Sequence, residues 1–282
     1  MMASALAEVG MFDTEASSMP VPPDFLKVEG LDDCTLEIAE GVADRRRAWA
    51  LTYEAYREKG YAQPDGEGLW YGLHDALPNT RTLLATHHGR DVAAMTLVFD
   101  SPLGLPADEL YAPENDALRR DGRRLCEIIS LVNREPDRHA AIEILKNMFR
   151  LAYLAAARIE KATDFIITVN PHHVGYYERK LLFAVAGEER TYGTVSGAPA
   201  VLLRLDLETA EDRYEEKYGA EPGSFYSFFV EPFTQWSWVE FLRHARHGLA
   251  EPEAREWFTE RRPLFQKASE PARAHLQLCY GW

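Results

Sequence analysis

A single α/β domain over roughly residues 36–210 is the predicted core of this 282-residue chain. A loose tail at 1–35 precedes it, and a helical, aromatic-rich extension at 211–282 follows. Three observations predict this. RLCEIISLV (124–132) and TDFIITVN (163–170) are apolar on both faces, as strands covered on both sides must be. Between them, Ile142, Leu145, Phe149, Ala152, Ala156 and Ile159 recur at the period of one helix face. Strand and helix signals then alternate along the middle of the chain, the mark of a sheet flanked by helices.

The elements follow in order. Residues 1–35 are rich in Ser, Pro and acid and show no periodicity. VADRRRAWALTYEAYREKG (42–60) reads as a helix with Val42, Trp49, Tyr53 and Tyr56 on one face and Gly60 as its stop. Residues 61–80 form a loop, and 80–100 read as two strands joined by a tight turn at His88-Gly89-Arg90-Asp91. SPLGLPADELYAPENDALRRDG (101–122) is a long connection with short helical pieces. After the second buried strand, VNPHHVGYYERKLLF (169–183) is a strand end, a turn and a helix start. Asn170 is pushed to extended geometry by the proline behind it, and Pro171 suits a first helical turn. RTYGTVSGAPAVLLRLDL (190–207) supplies one or two more strands. Beyond it, Phe225, Tyr226, Phe228, Phe229, Phe233, Trp236, Trp238 and Phe241 crowd the extension. They pack on the domain or on a second copy of the chain, line an apolar cleft for a ligand, or, third, meet a membrane surface.

A net charge of −14 and a pI of about 5.1 argue against general nucleic-acid binding, which needs surplus cations to neutralise phosphates. The basic residues are nevertheless clustered. Arg45, Arg46, Arg119, Arg120, Arg123 and Arg124 are either solvated faces or a dock for an acidic partner. Three cysteines far apart, with no CxxC, indicate neither disulfides nor a zinc site, and a reducing cytoplasm is the expected compartment. The leader lacks the basic and apolar regions of a signal peptide, and no run of about 20 apolar residues exists to span a bilayer. His87-His88 and His172-His173 are adjacent pairs, poor metal clamps because neighbours in extended backbone point apart, and no metal is expected.

Glu127 is the most informative single residue. On its strand it shares a face with Leu125, Ile129 and Leu131, while Cys126, Ile128 and Val132 occupy the other. A carboxylate there is desolvated, which raises its pKa toward the range useful for proton transfer near neutrality. The competing reading is a structural acid paired with a buried arginine. GTVSG (193–197) has the wrong spacing for a nucleophile elbow, GEGLWYG lacks a strand–turn–helix context, and no phosphate-binding GxxxxGK[ST] loop is present.

The ordered set YEAYREKGY, LPNTRTLLA, MTLVFDSPLGLPADELY, LRRDGRRLCEIISLV, VNPHHVGYYERKLLF and GAPAVLLRLDL resembles the N-acyl amino acid synthase family over about residues 45–207. That family has the GNAT acyltransferase fold and is related to acyl-homoserine-lactone synthases. The resemblance implies a central mixed sheet with two splayed parallel strands, here RLCEIISLV and TDFIITVN. The pantetheine arm of the donor adds to the exposed backbone between them. It also implies transfer of a long-chain fatty acyl group from acyl carrier protein to the α-amino group of an amino acid, with no tightly bound cofactor. The pyrophosphate loop of coenzyme A-dependent GNAT enzymes is missing before AAIEILKNMF, which favours a carrier-protein thioester. Arginines that hold the acceptor of lactone synthases are absent at Thr52, Thr96 and Ser130, which argues against lactone chemistry.

Under the resemblance Glu127 is the general base, backbone N–H groups at the splay stabilise the oxyanion, and Tyr177 protonates the leaving thiolate. Tyr177 reads equally as a core contact in the 174/177/181 stripe. His173 either orients the substrate carboxylate or bonds locally at the helix start. Asn170 either caps the turn or touches pantetheine. Ser130, Val132, Tyr176, Arg179, Tyr56 and Thr96 complete the expected substrate and pantetheine contacts, and the six clustered arginines become the carrier-protein dock. Leu182 stands where a glycine often precedes Phe183, a change attributed to local packing. Two alternatives remain open: an acyl-CoA- or acetyl-CoA-dependent N-acyltransferase of small amines, and a non-catalytic acyl-carrier or lipid-binding module.

Overall fold

The computed structural model describes residues 26–28, 30–219, 221, 224–230, 239–243, 245 and 248–282. Nine strands form a continuous sheet in the order β1-β2-β3-β4-β5-β6-β9-β7, with β8 paired to β9. They are β1 (Leu26–Lys27), β2 (Cys34–Ile38), β3 (Arg81–His87), β4 (Arg90–Phe99), β5 (Leu125–Asn133), β6 (Asp164–Val169), β7 (Ala184–Val185), β8 (Arg190–Tyr192) and β9 (Ala198–Asp206). Every pairing is antiparallel except β5 with β6.

The sheet starts earlier than the sequence predicts. Residues 26–35, expected in the loose tail, already contribute β1 and the start of β2. CTLEI alternates buried Cys34, Leu36 and Ile38 with half-buried Thr35 and Glu37. That is the period of a strand, overlooked because five residues give it little weight. Residues 1–25 lie outside the described residues.

Helices cover both faces. Helix α1 (Val42–Glu58) and α2 (Asp108–Arg120) lie on one, with Trp49 and Tyr111 packed against Val98, Leu125, Ile166 and Leu202 of the strands. Helix α3 (Arg138–Tyr153), extended by a π-helical turn at Leu154–Ile159, lies on the other. There Ile144, Met148 and Leu151 meet Cys126, Ile128, Phe165 and Leu203. Phe149, Ala152 and Ala156 of the predicted stripe are buried in that core, but the stripe's first residue, Ile142, is 43% exposed. Apolar residues lie on nearly every side of this helix, so their spacing cannot select which side is buried.

Helices α4 (Val174–Leu181), α5 (Ala210–Tyr218) and α6 (Phe225–Val230) follow on the α3 side. Phe225, Tyr226, Phe228 and buried Phe241 pack against that core. Phe233, Trp236, Trp238 and the side chain of Phe229 lie outside the described residues. The chain then crosses to the α1 face as α7 (Glu251–Arg255), a π-helical turn (Glu256–Arg261), α8 (Leu264–Lys267) and α9 (Glu270–Tyr280). Trp257 packs tilted against Trp49 and edge-on against Tyr71, at ring distances of 5.5 and 5.6 Å.

Three of the six arginines assigned to carrier docking are structural, a correction to the sequence reading. Arg45 is fully buried and donates to the carbonyls of Ala39, Asp75 and Thr80, which ties the 61–80 loop to α1. Arg119 pairs with Asp100, Asp108 and Asp116. Arg123 pairs with Asp164, Asp206 and Glu208. A charge run in sequence carries no information on whether acids from distant strands meet it.

Candidate active site

The two central strands meet and then part. β5 and β6 pair only at Leu125–Asp164, Cys126–Phe165 and Glu127–Ile166. Beyond that point β5 stays with β4 as far as Asn133, and β6 stays with β9 as far as Val169. The backbone edges that face each other across the gap therefore have no ladder partner there. A bulge contributes to the divergence: Ser130 adopts φ 51°, and Ser130 and Leu131 together oppose Met95. An extra residue bends the bulged strand away from its course. It also reverses the side-chain alternation. Leu131 packs toward the α3 core and Val132 under α1, the opposite of the faces predicted for them.

Glu127 is the last residue of β5 to pair with β6, and it is fully buried. Its Oε2 accepts the Ala107 N–H at 2.8 Å, at the start of α2. Its Oε1 has no hydrogen-bond partner among the described residues. Burial is the main cause that lifts its pKa to about 8, with the Asp108 charge adding and the Ala107 N–H and Arg119 opposing. Among the described residues no arginine pairs with it, so the structural-acid alternative lacks that partner there. One oxygen held in place and one left open is an arrangement suited to proton transfer.

Around Glu127 stand hydroxyls that the sequence reading partly missed. The charge of Glu127 acts on Tyr56 of α1 and on Tyr192 of β8, and burial pushes both phenols upward, Tyr56 to about 12. Tyr56 also packs edge-on against Tyr61 and Trp70, with ring centres at 5.8 and 4.9 Å. Tyr192 donates to the Pro106 carbonyl at 2.9 Å, beside the residue that holds Glu127. Tyr192 lies in the short hairpin that precedes β9, and no local pattern in the sequence marks it.

Tyr177 lies on the α3 side of the gap, buried edge-on against Phe149 and Phe183 at 6.3 and 5.7 Å. Burial, with Tyr176 and Tyr56 adding, raises its pKa, so the phenol keeps its proton. Tyr56 thus interacts with both Glu127 and Tyr177. Behind Tyr177 is an apolar cavity of about 30 Å³ lined by Phe149, Phe165, Leu181, Phe183, Leu205 and Tyr214.

The remaining predicted contacts divide. Asn170 accepts from the His172 N–H and so caps the turn Pro171–His173. Asn170→Ala is expected to lower stability by about 1 kcal/mol and to leave kcat/KM unchanged, read from urea denaturation and steady-state assays. His173 is exposed and rests against His172 at 3.9 Å between ring centres; partial burial, His172 and Lys59 lower its pKa. Tyr176 is 42% exposed at the gap's rim. Arg179 folds back so closely over Gly175 that a Cβ there would lie 2.6 Å from Nη1. Thr96 is withdrawn from solvent, its hydroxyl 3.1 Å from that of Thr82 across the sheet. Leu182 has φ 56°, the left-handed helix end that favours glycine, so the glycine replacement concerns backbone geometry rather than packing alone.

Of the other docking candidates, Arg124 donates to the Lys161 carbonyl and Arg46 lies over the Trp257 ring. Arg120 and Arg124 flank the start of β5, where β5 and β6 are still paired, so they are remote from the open end of the gap. Burial lifts the Cys34 thiol to about 11 and Cys126 well above its ordinary value. Among the described residues no three metal-ligating side chains converge, and no helix is long and apolar enough to cross a membrane.

A family model described as N-acyl amino acid synthase FeeM matches residues 47–206. Among solved structures, the chain is similar to FeeM, an N-acyl amino acid synthase from uncultured soil microbes. Identity is 23% and the TM-score 0.54, with 64% of this chain and 94% of that one covered. Similarity to the AHL synthase LasI is weaker, at 12% identity and TM-score 0.45 over 62% of this chain and 90% of that one. An acyl-CoA N-acyltransferase from Pseudomonas aeruginosa gives 19% identity and TM-score 0.42 over 61% and 99%. No curated protein sequence matches significantly.

Proposed function

Since the chain belongs to the N-acyl amino acid synthase FeeM family of GNAT-fold N-acyltransferases, we propose that it moves a long-chain fatty acyl group from acyl carrier protein to the α-amino group of an amino acid in the cytoplasm. The observation that carries this reading is Glu127, a buried acid with one unengaged oxygen at the point where β5 and β6 part.

An α-ammonium group has no lone pair, so it must lose a proton before it can attack a thioester. Ionised Glu127 accepts that proton at Oε1. The freed amine adds to the thioester carbonyl, and the oxyanion meets backbone N–H groups that line the gap. Collapse breaks the C–S bond, releasing the N-acyl amino acid and the pantetheine thiolate. Tyr177 gives its phenolic proton to sulfur and takes back the second proton that the adduct's nitrogen must lose to become an amide. Glu127 passes the first proton to solvent before the next turnover. The pantetheine arm occupies the gap as an added strand would. The acyl tail points to the apolar side behind Tyr177. The cavity there holds about the volume of one liquid water, so a long tail enters only as the aromatic side chains around it move.

A carrier-protein donor is supported by charge at the start of α3, the helix end that receives the coenzyme A diphosphate in other GNAT enzymes. Here Asp137 Oδ1 accepts the Ala140 N–H at 2.8 Å, and Glu135 Oε1 accepts the Asp137 N–H at 3.0 Å. Two carboxylates thus occupy the place where a diphosphate would need N–H groups and positive potential. Exposed cations toward the open end of the gap include Lys59, Arg179 and Lys180, which suit an acidic carrier better than the arginines at the closed end.

Incubation with acyl carrier protein bearing C12–C16 chains and a mixture of all amino acids is expected to yield an N-acyl amino acid by mass spectrometry. The KM for the matching acyl-CoA is expected to be more than about tenfold higher. Product from coenzyme A thioesters alone would replace the carrier donor, and tight donor binding without product would make the chain a binding module.

A further inference from the structure

Glu127 is aimed by a segment outside its own strand. The only hydrogen bond of its side chain among the described residues comes from the Ala107 N–H, in the turn before α2. That turn is held by Asp108. Its Oδ2 accepts the Leu105 N–H at 2.8 Å and Arg119 Nη2 at 2.7 Å, and its Oδ1 accepts Asn115 Nδ2 at 2.7 Å. Ordinary helix caps accept N–H groups two or three residues downstream. Asp108 instead reaches three residues upstream, while fully buried Asn115 and half-buried Arg119 reach back to it from later turns. Gly104, at φ 70°, completes the turn, and a Cβ there would lie 2.6 Å from Asp108 Oδ2. Tyr192 holds the same turn from the other side through the Pro106 carbonyl.

We propose that Asp108 is a positioning residue for acyl transfer: through the 104–107 turn it directs the Ala107 N–H at Glu127 Oε2 and thereby leaves Oε1 as the oxygen presented to the acceptor amine. This rests on Glu127 being the base. Arg119 matches the charge of Asp108, and the two act on Glu127 in opposite senses. The pair therefore supplies geometry with little net field.

The test is Asp108→Asn. Arg119 retains Asp100 and Asp116 in this variant, which preserves its anchorage. Two quantities are read: kcat against acceptor KM, and the titration of the Glu127 carboxylate by infrared difference spectra, with Glu127→Gln as the blank. With the Asp108 charge gone and Arg119 still present, the Glu127 titration is expected to move to lower pH. A misdirected Oε1 is expected to lower kcat by about 10–100-fold at near-constant KM. Gly104→Ala, which pushes on the Asp108 carboxylate without altering any charge, is expected to lower kcat similarly, and it decides the matter if Asp108→Asn does not fold. A folded Asp108→Asn enzyme with wild-type kcat and an unmoved Glu127 titration would overturn the proposal. Wild-type turnover in Glu127→Gln would instead remove Glu127 as the base, a failure of the functional reading and not of the positioning by Asp108.

Discussion

Glu127→Gln is expected to lower kcat by about 10²–10⁴-fold, the usual worth of a positioned general base, with little change in the affinity for acyl carrier protein. Glutamine fills the same space and can still accept the Ala107 N–H, so the fold and the gap persist while the proton acceptor disappears. The wild-type pH profile carries the same signature. A carboxyl with a pKa of about 8 is mostly protonated at neutral pH. The base form grows as pH rises, so kcat/KM is expected to climb to a plateau above about pH 8. In the variant the slope disappears.

Stability moves the other way. The folded chain keeps the Glu127 proton between its ordinary value of 4.5 and about 8, whereas the unfolded chain has released it. Stability contributed by the protonated form is therefore complete below the lower value and is lost as pH rises through the upper one. Glu127→Gln is spared this loss, so its melting temperature should gain on the wild type from about pH 5 to pH 8. Thermal scans across that range check the sign, and parallel curves would show that Glu127 is not held protonated.

Trp257→Ala is expected to lower stability by about 3–5 kcal/mol, as other large-to-small changes in packed aromatic cores do. Trp257 is 3% exposed, and its neighbour Phe258 is fully buried. Both sit in the same cluster as Trp49, Tyr71, Leu125 and Ala107. The C-terminal helices thus cover the face on which Glu127 lies. Equilibrium urea denaturation reads the loss, and a change below about 1 kcal/mol would show that this segment only rests on the domain. A partial loss of activity should accompany it, because water reaching the cluster would lower the Glu127 pKa and weaken it as a base.

Much of the site was legible in the residues themselves. Glu127 stood out because a carboxylate between Cys126 and Ile128 in an apolar strand is costly without a purpose. Asn170-Pro171 announced a strand end and a turn, since proline restricts the residue before it. Less legible were groups whose role depends on chain contacts far away. Arg45, Arg119 and Arg123 resembled a positive patch until the Asp75 carbonyl, Asp108 and Asp164 were found against them. Asp108 and Tyr192 lie 84 positions apart, and neither has a local pattern that marks it.

The sequence by itself determined the strand and helix periods, the buried acid and the family. Each of these resides in the chemistry of short segments: alternation, capping, a proline, a charge amid apolar neighbours. Only the tertiary structure decided where β5 and β6 separate, which oxygen of Glu127 is held, and which arginines are already neutralised. Those outcomes depend on a bulge at Ser130 and on pairings between distant segments. Backbone register and long-range charge neutralisation are properties of the packed chain, and no local window of residues contains them.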